Sequence, residues 1–211
     1  MSNAAHRFLI LHGLNGSPEG HWQHWLAGQL LQRGHEVCFP ELPNPGEPHL
    51  DRWNSVLHRE LCQELDTTLF AHSLGAYLWL RYASGGSAFR VRRALLVSPP
   101  GRQEVAANSR INAASHIGFN AAHIRSAADE ILLVGSASDP FCSAGFAKEY
   151  AIPLGINYLE TPSHTGHLNI ESGFGSWDFA LEWALRSREL QDRFINDNRT
   201  RTGASIPNAR I

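Results

Sequence analysis

The chain has 211 residues, 43% of them hydrophobic and 18% charged, with a formal net charge of −2. That balance supports one domain with a sizeable core and excludes a disordered chain, and the scattered basic residues leave neither a nucleic-acid footprint nor a polybasic membrane patch. Three cysteines, Cys38, Cys62 and Cys142, are too few and too far apart for a disulfide framework or a paired-cysteine metal site.

No apolar run approaches the ~20 residues of a membrane span, and Met1 to Arg7 lacks the charged and apolar regions of a signal peptide. A reducing cytoplasm is the expected location. In chain order, Arg7 to His12 reads as a strand built on Phe8 to Leu11, released by His12-Gly13-Leu14-Asn15-Gly16-Ser17-Pro18 into a loop. Ser17 and Pro18 open a helix with Trp22, Trp25, Leu26 and Leu30 on one face, and Gly34 ends it. Glu36 to Phe39 is a second strand, and the prolines 40, 43, 45 and 48 then hold a loop in which no helix persists. Leu50, Trp53, Leu57, Leu61 and Leu65 mark the apolar stripe of the next helix.

The stretch Thr67 to Leu80 passes from a β-prone run through Ala71-His72-Ser73-Leu74-Gly75 into a helical segment, the pattern of a strand–turn–helix nucleophile elbow. Ser73 is the candidate nucleophile. Small residues are needed two places before and after it, and Ala71 and Gly75 stand there; the usual motif has glycine at both. An ordinary helix N-cap serine would give the same local pattern.

Leu95 to Val97 and Ile131 to Val134 are further buried strands, with Gly101 to Asp129 between them as a long connection carrying one short helix and forming at most a small lid. Lys148, Glu149 and Tyr150 lie in a helix before Pro153, Ile156 to Glu160 is the last strand, and Trp177, Leu181, Ala184 and Leu185 give a final amphipathic helix. Residues 1–190 thus form one domain, and 191–211 are a polar, frayed C-terminal tail. Alternating strands and helices predict an α/β three-layer sandwich, a parallel sheet of five to six strands with helices on both faces.

A serine nucleophile needs a base and a group that orients the base, in this fold in the order Ser, acid, His. Asp139 follows the strand at Ile131 to Val134, and His167 follows the last strand, so both fall with Ser73 at the carboxyl edge of the sheet. His164 competes with His167, and Asp129 with Asp139, although Asp129 precedes its strand. His12 and His72 flank the site without the base's topological position. The His164/His167 pair sits in a Pro- and Gly-containing loop with no completing carboxylate, so no metal and no cofactor is expected. Oxyanion donors are expected from the N–H of Leu74 and from Leu14 or Asn15. Trp22 and Phe141 are the candidate apolar walls of a substrate pocket, though large aromatics equally serve as core.

The chain resembles the small single-domain serine hydrolases of the α/β-hydrolase superfamily, of the retinoblastoma-binding-protein-9 and YdeN types. The likeness rests on His12-Gly13 with Gly16-Ser17-Pro18 and His21-Trp22, on Ala71-His72-Ser73-Leu74-Gly75, on Leu96-Val97-Ser98-Pro99-Pro100, on Ser138-Asp139-Pro140-Phe141-Cys142, and on Gly166-His167-Leu168-Asn169 leading to Ser172-Gly173-Phe174-Gly175-Ser176-Trp177. The resemblance implies a minimal α/β-hydrolase fold with strand order 2-1-3-4-5 and a sixth strand beyond, and catalysis by Ser73, Asp139 and His167. The leading reading is a hydrolase that transfers an acyl group from a small ester, thioester or amide to Ser73 and then to water. The connection Gly101 to Asp129 departs from the family's proline-rich pattern. The family name suggests a rival role in binding a retinoblastoma-type pocket through L-x-C-x-E, but Glu60-Leu61-Cys62-Gln63-Glu64 has glutamate where the leucine must stand. The alternative to an enzyme is an inactive hydrolase fold used to bind a protein or a ligand.

Overall fold

In the computed structural model, residues 6–63, 65–86, 89–112 and 118–186 are described; the tail expected at 191–211 lies outside them. Six parallel strands form one sheet in the order β2-β1-β3-β4-β5-β6. They are β1 (His6–Leu11), β2 (Glu36–Cys38), β3 (Asp66–His72), β4 (Val91–Val97), β5 (Ala128–Ser136) and β6 (Asn157–Thr161). The expected order, with its sixth strand, is the observed one.

Strand alternation sorts the core into two layers. Leu9, Leu11, Leu69, Leu96 and Leu133 face α2 (Leu50–Leu61) and α3 (Leu74–Ser84), while Phe8, Ile10, Phe70, Leu95 and Val134 face α1 (Trp22–Gln32) and α7 (Asp178–Leu185). The register Ile10 to Phe70 and Leu11 to Ala71 keeps each set on its own side. Helices therefore cover both faces, as a parallel sheet requires.

Two expectations change in detail. The connection from Gly101 holds two short helices, α4 (Arg102–Ala107) and α5 (Ala121–Ser126), and β5 already begins at Ala128. The amides of Ser143 and Ile124 show how the short turns are tied down: Glu104 accepts from Ser143, and the carbonyl of Asn120 accepts from Ile124. The helix expected before Pro153 is a π turn (Ala147–Ala151) that runs on into α6 (Ile152–Leu154), with Pro153 inside the continued segment. Leu61 is buried at the end of α2, against its use in an L-x-C-x-E contact. Among the described residues no helix is long and apolar enough to cross a membrane.

Candidate active site

β3 ends at His72 and α3 begins at Leu74, so the whole change of direction falls on Ser73, whose φ of 54° and ψ of −125° lie in a region that residues with a side chain rarely occupy. The amide of Ser73 donates to the carbonyl of Val97 at 2.8 Å, anchoring the turn to β4. Gly75 explains its own identity: a Cβ there would sit 2.5 Å from the His12 carbonyl oxygen and 2.8 Å from that of Leu11. Gly13 meets the turn from the other side, where a Cβ would fall 2.7 Å from that of Ser73. The alanine at position 71 is fully buried within the ladder, paired with Leu11 and Leu96.

Asp139 and His167 reach Ser73 from the ends of β5 and β6. His167 Nε2 lies 2.9 Å from Ser73 Oγ, and Nδ1 lies 2.8 Å and 3.0 Å from the two carboxylate oxygens of Asp139. An imidazole between a carboxylate and a hydroxyl carries its proton on Nδ1 and accepts from the hydroxyl at Nε2, an arrangement able to take a proton from serine as a new bond forms. Asp139 is itself fixed by the amide of Phe141, which donates to Oδ1 at 2.9 Å.

The rivals lie elsewhere. Asp129 is at the opposite edge, paired with Arg90 at 2.8 Å. His164 is exposed in a single 3-10 turn. Among the described residues no cluster of histidine, cysteine and carboxylate fits a metal ion. Burial, with Asp139 nearby, pushes the Cys142 thiol up to about 12, so it supplies no thiolate in place of the serine.

The expected oxyanion donors separate. The Asn15 amide donates to the carbonyl of Pro45 at 2.7 Å and is therefore committed, which corrects its expected role. The amides of Leu14 and Leu74 have no hydrogen-bond partner among the described residues, that of Leu74 because it opens a helix. The Leu14 turn is held by a histidine. The Leu42 amide donates to His12 Nε2 at 3.1 Å, so the ring proton is on Nδ1 and is donated to the Gly13 carbonyl at 2.9 Å. Burial holds His12 below its ordinary value, which keeps that neutral tautomer.

The two pocket candidates part company as well. Phe141 is 50% exposed and stands edge-on to the His167 ring, with centroids 4.6 Å apart. Trp22 is 0% exposed and packs against Trp177, so it presents no surface to a cleft; this corrects its expected place in the pocket wall. Its size and its position in the first turn of α1 put it under the loop that carries His167.

Several neighbours went unread in the sequence. Ser138 Oγ donates to the Ser163 carbonyl, and Ser136 Oγ donates to that of Pro162 at 3.3 Å. Thr165 Oγ1 donates to the same Pro162 carbonyl at 2.7 Å. The two serine hydroxyls stitch the loop of Asp139 to the loop of His167, and Thr165 braces the latter from within. Their only sequence signal is a high content of serine and threonine in both loops, which does not say that the loops meet.

Known structures share this architecture. The crystal structure of YdeN from Bacillus subtilis superposes with a TM-score of 0.67 at 22% identity, covering 90% of this chain and 98% of that one. A YdeN-like hydrolase from Pectobacterium atrosepticum gives 0.63 at 24% identity, over 84% and 87% of the two chains. In sequence, the Bacillus subtilis (strain 168) protein, a hydrolase by assignment, is 25% identical over 169 residues, 79% of this chain and 88% of its own. A family model described as serine hydrolase matches residues 8–184, and the chain belongs to that family of hydrolases.

Proposed function

We propose that this hydrolase transfers the acyl group of a small ester, thioester or amide to Ser73 and then to water. The observation that carries the reading is the unbroken row from Ser73 Oγ through His167 to Asp139, with contacts of 2.9 Å and 2.8 Å. Ser73 Oγ attacks the acyl carbon while His167 Nε2 takes the hydroxyl proton. The proton then passes to the leaving oxygen, sulfur or nitrogen as its bond to carbon breaks. Water, deprotonated by the same imidazole, attacks the acyl-enzyme, the acid is released, and Ser73 regains its proton. Asp139 keeps Nδ1 protonated and stabilises the imidazolium that forms. The amides of Leu74 and Leu14 are the donors proposed for the charge that develops on the acyl oxygen.

Phe141, half-exposed beside His167, supplies an apolar surface at the mouth, and the short helices after Gly101 leave room for only a small cap. Short acyl chains are therefore the preferred substrates. The test is a series of esters from roughly two to twelve acyl carbons, assayed from acid to mildly alkaline pH. The expected result is fastest turnover of the short members and a kcat/KM that rises with pH as the base loses its proton. Fastest turnover of the longest chains contradicts the small cap, and a pH-independent rate contradicts a histidine base.

A further inference from the structure

Two buried ring donors converge on the peptide that carries His167. His72 Nε2 lies 3.0 Å from the His167 carbonyl oxygen, and Trp22 Nε1 donates to the next carbonyl, that of Leu168, at 3.1 Å. They come from separate elements, the last residue of β3 and the first of α1. The two rings also touch, nearly perpendicular, with centroids 6.0 Å apart. Between their two acceptors the backbone is unusual: Leu168 is fully buried and has a φ of 53°, a conformation costly for a branched residue unless its surroundings impose it.

A carbonyl can only accept, so His72 must carry its proton on Nε2. Burial, with His167 and His21 close by, holds this imidazole well below its ordinary value and therefore neutral. Neutrality matters because the His72 ring lies 4.9 Å from the His167 ring, where a cation would oppose the charge that His167 takes up during turnover.

We propose that His72 and Trp22 are positioning residues, a two-donor clamp that locks the backbone of His167 and the left-handed Leu168 so that one imidazole reaches both Asp139 and Ser73. The proposal rests on the serine hydrolase reading above. Neither residue touches substrate. Each acts by fixing the base, and a displacement of about 1 Å there is enough to cost on the order of 10²-fold in rate.

The test uses Trp22→Phe, which keeps an aromatic ring but removes the indole N–H together with part of the buried ring system, His72→Leu, which deletes the imidazole donor, and His72→Gln, which restores an amide donor. Unfolding midpoints, kcat, KM and the low-field proton resonance of His167 Nδ1–H are measured on each. The clamp predicts that Trp22→Phe and His72→Leu lower kcat by roughly 10- to 100-fold with KM little changed, and broaden or abolish the low-field resonance while the chain stays folded. His72→Gln recovers most of the rate. The double variant costs less than the product of the single effects, because both donors restrain one peptide.

Folded variants with wild-type kcat and an unaltered resonance overturn the clamp. So does a loss of rate that merely follows the loss of folded protein. If His72→Leu does not fold, Trp22→Phe and His72→Gln decide. A failure of the clamp leaves a wild-type enzyme whose activity depends on Ser73, whereas a failure of the hydrolase reading leaves a wild-type chain that turns over no ester.

Discussion

At the amino edge of the sheet, Arg7 and Arg93 are buried and each has its charge closed off. Arg7 donates to the Glu60 carboxylate at 2.6 Å and to the Glu60 carbonyl at 3.0 Å. Arg93 donates to the carbonyls of Trp183 and Ala184 in the last turn of α7, both at 2.8 Å, and lies 4.6 Å over the Trp183 ring. At the carboxyl edge, Asp139 is equally buried but its partner is an imidazole, whose second nitrogen meets the partly exposed Ser73 hydroxyl. One edge ends its polar chains inside the protein, and the other leads them to the surface. The first arrangement stabilises, and the second leaves a group able to react with an outside molecule.

The largest effect that separates the edges is expected for Asp139→Asn. It should leave the fold intact and slow acylation by about 10⁴-fold, since an amide favours the wrong tautomer of His167. Stopped-flow ester hydrolysis reads this directly. A loss of only a few-fold means that another group orients the base.

A smaller effect concerns acid. Burial, with His24 and His167 nearby, pushes His21 down to about 4, and burial lowers His12 and His72 as well. These groups stay neutral in the fold, whereas their unfolded counterparts bind protons below about 6.5, so stability is full above that pH and falls as the pH drops towards 4. His21 alone accounts for a loss on the order of 3 kcal/mol across that window. Denaturant midpoints at neutral pH and near pH 4.5 measure it. His21 Nδ1 also caps α1 by accepting from the Gln23 amide at 3.2 Å, and His21→Ser keeps a capping oxygen without the titration. The variant should flatten the acid dependence, and an unchanged slope would count against His21.

At the amino edge, Arg93→Met should lower stability by about 2 kcal/mol while kcat per folded molecule stays at the wild-type level, because the substitution strips the α7 carbonyls of their donor. Burial pushes Arg93 down to about 10, so it remains a cation at neutral pH. As the smallest effect, Arg90→Ala should cost less than about 1 kcal/mol, its pair with Asp129 being exposed on both sides. Chemical denaturation and ester turnover on the same samples check both variants. A drop in kcat for Arg93→Met would show that the two edges are coupled.

Much of this was legible from the residues. The run through Ser73 reads as strand, turn and helix because apolar residues, one small polar residue and helix formers follow one another within the elbow. Asp139 and His167 stand out as candidates because each lies just past a strand, and all strands of a parallel sheet end at one edge. What a single sequence does not carry is pairing across loops. Nothing in the neighbourhood of Asn15 says that its amide meets Pro45, and nothing around Trp22 says that its indole sits beneath Leu168 rather than on a pocket wall. Only one of the two short helices after Gly101 is expected from the residues, and without bounds, because six residues show too little of a helical period to be told from loop.

The central claim, that Ser73 is an activated nucleophile, is tested most directly by intact-protein mass spectrometry after reaction with a fluorophosphonate. The wild-type chain should gain the mass of one phosphonyl group, and Ser73→Ala, shown to be folded, should gain none. An unlabelled wild-type chain, or an adduct that persists in Ser73→Ala, would contradict the account.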